Sequence, residues 1–149
     1  MTAGEVRVQR LVKARPSTVY EYFTDPAKWL SWQGVEATIE PWPGGVFRMN
    51  VTGDGYASGQ FVTLDPPHRV VFTWGWEAAD RGMPPGSSTV EVDLVAADDG
   101  AATLVALRHT GLPLPAVEPH RHGWGHYLGR LGVAAAGADP GPDPFRVSA

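Results

Sequence analysis

Two histidines near the C-terminus, His122 and His126, have the i, i+4 spacing with which a helix can offer two imidazoles to one zinc ion. A zinc site needs further protein ligands, and the chain has no cysteine to supply a thiolate. On a helical wheel both imidazoles lie roughly 160° from Trp124, one to each side. We therefore place them on a solvated face of the predicted helix, and we predict that the protein holds no metal.

His109 and His120 occupy different positions in the pattern. His120 shares the apolar stripe of Trp124, and His109 ends a predicted strand in the phase of Val105 and Leu107. If that strand face meets the helix, both imidazoles reach the interior, where they could bind a ligand or transfer protons. The alternative, which we favour, is a structural role in which each ring is hydrogen-bonded at the rim of the fold.

Arg10 is a candidate partner for a ligand carboxylate. It lies in the alternating phase of Val6 and Val8, so a regular strand would direct its guanidinium inward. The adjacent Leu11 and Val12 break the alternation, which indicates either a bulge or a strand buried on both faces near its end. This irregularity makes an outward Arg10 equally plausible. Both orientations stay open.

Apolar side chains alternate along several predicted strands, as in Phe72, Trp74 and Trp76. They face either a filled core or a lined cavity, and the pattern favours neither over the other. No catalytic motif such as an ordered Ser-His-Asp set or a glycine-rich phosphate loop stands out. The residues that we predict to bind a ligand are Trp32, Phe47, Met49, Phe72, Trp74, Trp76, Val92, His109, His120, Trp124, Tyr127 and Leu128.

The elements that must position these residues follow from turn signals and periodicity. A strand over 5–13 precedes two short helices, which begin near Pro16 and at Asp25-Pro26. Asp99-Gly100 predicts a hairpin turn. An amphipathic helix over 118–137 ends the regular structure, giving the order β-α-α-β6-α. Six more strands are predicted at about 35–40, 46–52, 56–64, 69–77, 88–97 and 101–109.

The chain length of 149 residues fits one domain, which we assign to residues 1–136. The remaining residues, 137–149, are rich in proline and glycine, and we expect them to form a mobile tail. Glycines in the last helix would permit close approach to the sheet or to a second copy of the chain. A homodimer therefore stays open.

Composition and charge exclude several classes of function. Twelve Lys and Arg against sixteen Asp and Glu give a net charge of −4, which is unsuited to binding nucleic acid. No apolar run approaches the roughly 18 residues of a membrane span. The N-terminus has no apolar secretory core, so we expect a cytoplasmic protein.

Four segments carry a resemblance to a known family: ARPSTVYEYFTDPAKWLSW, PGGVFRM, GQFVTLDPPHRVVFTW and LRHTGLP followed by HRHGWGHYL. Over roughly residues 5–136 the chain resembles the helix-grip, START-like (SRPBCC) superfamily. Within it, the chain is most similar to the family named after the C-terminal domain of the heat-shock ATPase activator (AHSA-type). The resemblance implies an α+β fold, in which a curved seven-stranded antiparallel sheet grips the C-terminal helix around a hydrophobic cavity. It implies no cofactor, and it suggests a link to stress response.

These observations lead us to expect binding of a small, mostly hydrophobic molecule between the sheet and the C-terminal helix. One alternative is a polyketide cyclase or dehydratase-like enzyme that uses His109, His120, Arg10 or Tyr127. The other is a co-chaperone-like module that binds a protein. Polar groups converging in a cavity would favour the enzyme, and a dry aromatic pocket would favour a carrier. A filled cavity beside an exposed apolar patch would favour the interaction module.

Overall fold

One antiparallel sheet wraps a long C-terminal helix in the computed structural model, which describes residues 4–147. No helix within those residues is long and apolar enough to cross a membrane. The predicted α+β helix-grip fold is confirmed. In chain order the elements are β1 (Gly4–Val12), α1 (Pro16–Glu21), α2 (Pro26–Trp29), β2 (Glu36–Ile39), β3 (Val46–Asn50), β4 (Tyr56–Asp65), β5 (Arg69–Trp74), β6 (Ser88–Ala97), β7 (Ala102–Leu112) and α3 (Val117–Ala135).

The sheet has the strand order β1-β7-β6-β5-β4-β3-β2, so each strand from β2 to β7 pairs with its neighbour in the chain. Short turns suffice for such a meander. The predicted hairpin between β6 and β7 is confirmed, and its turn contains three left-handed residues in succession: Asp98 (φ 51°), Asp99 (φ 54°) and Gly100 (φ 89°). Asp and Gly are residue types that tolerate this conformation.

The short helix α2 and the turn after it contribute two aromatic rings to the core, Trp29 and Trp32. Asp25 begins α2 as its N-cap, because its Oδ1 accepts hydrogen bonds from the amides of Ala27 and Lys28. The indoles of Trp29 and Trp32 stack with their centroids 5.8 Å apart. Trp32 donates its Nε1–H to a backbone carbonyl at 3.0 Å, so its polar atom is satisfied in the interior.

The middle of the fold is a filled core. Phe47 and Phe72 lie 4.6 Å apart between ring centroids, and Trp29 packs against both. Leu128 of α3 is buried against the concave face of the sheet and has no exposed surface. Of the two alternatives left open by the sequence, packing therefore holds in the centre of the sheet.

The predicted bulge at the end of β1 is wrong. Pairing with β7 runs without a shift from Glu5 to Val12, and alternation continues through Leu11, which is 54% exposed, to the buried Val12. Because β1 is an edge strand with a solvated convex face, an outward leucine there needs no irregular backbone. Leu11 is simply an exposed apolar residue.

Arg10 keeps the inward phase that a regular strand gives it, yet its side chain is exposed. It lies along α3 at Gly129 and Gly132, within 3.8 Å of the positions that added β-carbons would take. The two glycines let the helix approach β1 closely and leave the guanidinium at the solvent edge. Arg10 therefore does not reach an internal cavity.

We expect Phe72→Ala to lower the free energy of unfolding by about 3 to 5 kcal/mol, because it leaves a void in a well-packed aromatic cluster. As a control, Val95→Thr on the exposed convex face should change it by no more than about 0.5 kcal/mol. Urea unfolding of both variants measures the two values. Equal losses would contradict a filled core around Phe72.

Candidate functional site

A cavity of about 200 Å³ lies between the N-terminal half of α3 and the ends of β3 and β5. Aromatic rings form most of its wall, and they come from the sheet, the helix and the segment that follows the helix. Its lining residues are Gln33, Val51, Thr52, Trp74, Trp76, Arg81, Pro119, His120, His122, Gly123, Trp124, Tyr127 and Phe145.

The structure divides the predicted site residues between this cavity and the core. Those that line the cavity are Trp74, Trp76, His120, Trp124 and Tyr127. The others have no exposed surface and pack inside the fold, so a ligand would reach them only if the core moved: Trp32, Phe47, Met49, Phe72, Val92, His109 and Leu128. A direct ligand contact for these residues stays a prediction.

Several lining residues were not found by sequence reasoning. Gly123 has a sequence signal, because it shares the helical spacing of His120, Trp124 and Tyr127. Arg81 has none, because a loop residue reaches the cavity only through the path of its loop. Val51 also has a sequence signal, because it shares the alternating apolar phase of Phe47 and Met49. The other lining residues missed from the sequence are Gln33, Thr52, Pro119, His122 and Phe145.

His109 joins α3 to the sheet through a buried chain of hydrogen bonds. Trp124 donates its Nε1–H to Nδ1 of His109 at 3.0 Å. Because an indole nitrogen can only donate, Nδ1 must accept, and the ring proton resides on Nε2. Nε2 donates this proton to Ser88 Oγ, which lies 2.8 Å from the nitrogen. The Ser88 hydroxyl in turn donates to the Trp74 carbonyl at 2.7 Å. Each polar atom in this series of hydrogen bonds is thereby assigned as a donor or an acceptor.

His120 has the opposite tautomer. Its Nδ1 lies 2.8 Å from the Ala116 carbonyl, which can only accept, so Nδ1 carries the proton. Its Nε2 accepts from the indole N–H groups of Trp74 and Trp76, at 3.4 and 3.3 Å. The ring centroids of His109 and His120 are 5.2 Å apart in an edge-to-face arrangement.

Both imidazoles are neutral at physiological pH. Burial, with a smaller contribution from the neighbouring His120, lowers the pKa of His109 from 6.5 to about 3. Burial also lowers the pKa of His120, against the hydrogen bond to Ala116 and with help from the charge of Arg81. Since each ring nitrogen already has a partner, the two histidines orient the tryptophans of the cavity. Both rings are hydrogen-bonded, as the structural alternative requires, but His109 is buried in the interior and not at the rim of the fold. A role of either ring in ligand binding or proton transfer stays a prediction.

The segment after α3 contributes Phe145 to the cavity wall and is held by Asp143. Asp143 Oδ2 accepts from the Tyr127 hydroxyl at 2.7 Å, and Oδ1 lies 2.9 Å from both His126 Nε2 and the Phe145 amide nitrogen. Burial pushes the pKa of Asp143 upward, but these hydrogen bonds outweigh it and hold that pKa below its usual range. Burial and the bond to Asp143 raise the pKa of Tyr127.

Arg130 and Val147 hold the same segment. Arg130 donates to the carbonyl of Gly141 at 2.9 Å and, at longer range, to those of Pro140 and Pro142. The Val147 amide donates to the Thr52 carbonyl at 2.7 Å. The mobility that the sequence predicts for the tail stays a prediction. These hydrogen bonds would restrict such mobility.

The predicted exposure of His126 is wrong. Its side chain is only 21% exposed, and its ring centroid lies 4.0 Å from that of Phe145. The helical wheel places His126 on the face away from the sheet, but the returning tail covers that face. His122 is exposed, as predicted. Within residues 4–147, no cluster of three or more His, Asp or Glu side chains is placed to hold a metal ion.

Comparison with known proteins assigns the family. A sequence profile of the family described as Activator of Hsp90 ATPase homolog 1-like protein matches residues 13–136. The chain belongs to this AHSA1-like family. The resemblance to START-like proteins drawn from the sequence is thereby confirmed. A search of curated proteins finds no match.

Several solved structures share the fold. An AHSA1-like protein from Rhizobium etli is 44% identical, with 99% of this chain and 91% of that chain covered and a TM-score of 0.74. CalU16 from Micromonospora echinospora is 26% identical over 91% of this chain and 78% of its own, with a TM-score of 0.72. An HSP90 activator from Plasmodium falciparum, 22% identical over 87% of this chain and 94% of its own, shares the fold alone, with a TM-score of 0.69.

The lowered pKa of His109 predicts a pH effect on this AHSA1-like chain. A histidine that is neutral when folded contributes stability above the unfolded value of about 6.5, and this is lost as pH falls toward 3. Within that window the protonation of His109 in the unfolded chain should lower the free energy of unfolding by up to about 1.4 kcal/mol for each unit by which the pH falls. In NMR spectra, its ring protons should not titrate between pH 5 and 8.

Two variants separate this effect from other titrations. His109→Gln can keep both hydrogen bonds and should reduce the loss of stability between pH 7 and 5, measured by urea unfolding, to the part that His120 contributes. His122→Gln, at an exposed position, should leave the loss unchanged. A ring that titrates near 6.5 in the folded protein would contradict the assigned tautomer and burial.

Asp143→Asn should loosen the tail, because an amide cannot accept from Tyr127, His126 and the Phe145 amide together. We expect hydrogen exchange of the Val147 amide to accelerate about tenfold, which corresponds to about 1.4 kcal/mol. Asp139→Asn is the control, since Asp139 accepts only from the nearby Gly141 amide. If both variants exchange like the native protein, Asp143 does not anchor the tail.

Proposed function

We propose that the protein binds a small, mostly hydrophobic molecule in the cavity beneath the first half of α3. The observation that carries the proposal is the contrast between two parts of the same interior. The centre of the sheet is packed with rings that have no exposed surface, whereas Trp74, Trp76 and Trp124 border open space. Rigid aromatic walls around a void are typical of ligand sites.

The volume limits the size of the ligand. Pockets for drug-sized molecules span about 300 to 1,000 Å³, whereas an apolar cavity of about 150 Å³ binds benzene. A cavity of about 200 Å³ therefore suits a single substituted ring or a short branched chain. A larger molecule would extend out of this volume or displace Phe145, which forms part of the wall.

The hydrogen bonding supports binding rather than catalysis. Acid–base catalysis needs a titratable group within reach of a substrate proton and a pKa near the working pH. The His109 pKa lies far below that range, and both nitrogens of His120 are engaged. The Tyr127 hydroxyl is committed to Asp143. These groups shape the wall and hold its rings in place.

Membership of the AHSA1-like family is also compatible with the two alternative functions considered from the sequence. A cyclase-like reaction and a protein-interaction role remain predictions, as do a homodimer, a cytoplasmic location and a link to stress response. The occupancy of the cavity is the most direct property to test, because a carrier requires it.

Gly123→Leu should block the cavity without disturbing the fold. Gly123 lines the cavity, and a β-carbon added there meets no other atom within 4 Å. Leucine is also a better helix former than glycine, by up to about 1 kcal/mol. Gly125→Leu is a matched control, since Gly125 has equally open surroundings but is exposed and does not line the cavity.

Binding of toluene, followed by NMR shifts of the tryptophan side chains, distinguishes the two variants. We expect the native protein and Gly125→Leu to bind it alike, and Gly123→Leu to lose at least tenfold in affinity. Both variants should unfold at or above the native urea midpoint. Equal affinity in all three proteins would overturn the proposal, and so would a native protein that binds neither toluene nor a polar or charged phenyl compound of similar size.

A further inference from the structure

We propose that the ligand of this cavity is an anion, a small aromatic or branched carboxylate whose charged end binds Arg81. The inference rests on the proposed function and adds the chemical class of the ligand. Its evidence is the position of one guanidinium, weakly paired and donating no hydrogen bond within residues 4–147, at the border of an aromatic pocket whose lining includes no Asp or Glu.

Arg81 is placed by a tight turn in the loop between β5 and β6. The turn spans Ala79–Arg81 and ends at Gly82, whose φ of 69° reverses the chain. The guanidinium carbon lies 4.1 Å from the ring centroid of Trp76, so a cation–π contact holds the charge against the cavity wall. Its charge is felt inside, where it contributes to the lowered pKa of His120.

The guanidinium of Arg81 has no strong partner. Arg48 makes a two-pronged pair with Glu77 at 2.7 and 2.9 Å, and Arg130 binds backbone carbonyls. Arg81 instead has one ion pair, 3.7 Å long, with Asp54, whose side chain is 67% exposed. Within residues 4–147 its guanidinium donates no hydrogen bond. Its donors are therefore available to a carboxylate, for which the planar fork is well matched.

The charges of the lining favour an anion, because the lining includes Arg81 and no Asp or Glu, and the Asp54 carboxylate that pairs with Arg81 lies outside it. His120 is neutral, and the Asp143 carboxylate borders a second, polar cavity rather than this one. Aromatic walls without a charge would suit a quaternary ammonium. Here Arg81 already covers the face of Trp76 and would repel a second cation.

Gln33 supplies a second donor for an oxygen atom. Its Oε1 accepts from Trp29 Nε1 at 2.9 Å, and because the indole can only donate, this fixes the orientation of the carboxamide. The amide nitrogen has no partner within residues 4–147, although the side chain is only 3% exposed and borders the cavity. No buried side-chain polar atom within residues 4–147 lacks a partner, so this nitrogen keeps some accessible surface at the cavity. A ligand that covered it would have to supply an acceptor, because a donor buried without a partner is costly.

The test uses phenylacetate, phenylacetamide and phenethylamine, which share a phenyl ring on a short chain and differ in charge. We expect the native protein to bind phenylacetate at least tenfold more tightly than the neutral amide, and to bind the ammonium least. Arg81→Gln should reduce phenylacetate to the affinity of the amide and leave the amide itself unchanged. Arg121→Gln, an exposed arginine on α3 paired with Glu118, should alter neither.

The outcomes separate this inference from the proposed function. If phenylacetamide and toluene bind but phenylacetate binds no better, the cavity is a ligand site and the carboxylate inference is wrong. The inference is also wrong if the advantage of phenylacetate survives Arg81→Gln, or if phenethylamine binds most tightly. If none of the four compounds binds the native protein, the proposed function fails, and this inference fails with it.

Discussion

The structure depends on the packing of α3 against the concave face of the sheet, with the contact between Trp124 and His109 at its centre. The helix contains four glycines, Gly123, Gly125, Gly129 and Gly132, each costing about 1 kcal/mol relative to alanine. Such a helix would be marginal alone. Burial of its apolar stripe supplies the missing stability, and the indole-to-imidazole hydrogen bond fixes the helix at one place along the sheet.

That hydrogen bond also explains why a cavity persists beside a packed core. A buried polar pair is expensive unless each atom is satisfied, and here the chain from Trp124 through His109 and Ser88 to the Trp74 carbonyl satisfies all of them. The rings are consequently held by directional bonds as well as by contact. They cannot easily collapse into the space between them, as free apolar side chains would.

The polar surroundings of the cavity divide into two kinds. His120 and Tyr127 are bound to protein partners and act on the shape of the wall. Arg81 and Gln33 retain donors that no described residue uses, so they can act on a ligand. This division favours recognition of a small acidic molecule, because the uncommitted groups donate hydrogen bonds.

The sequence by itself determined the order of elements, the hairpin at Asp99-Gly100, the cap at Asp25 and the buried stripe of α3. These features arise from neighbours in the chain, through turn conformations and the periods of helix and strand. The family followed from the same local motifs. The bulge predicted at Leu11 is wrong because the prediction assumes that both adjacent apolar residues, Leu11 and Val12, are buried. An edge strand can leave one apolar side chain in solvent.

Only the tertiary structure decided which aromatic residues border space and which fill the core. Phe72 and Trp74 share one face of β5, yet one is surrounded by other rings and the other borders the cavity, because α3 and the tail close the sheet differently along its length. Arg81 and Phe145 reach the site through the path of a loop and a tail, which no local period encodes. The covering of His126 has the same origin: a helical wheel describes one element, whereas exposure depends on every segment that returns to it.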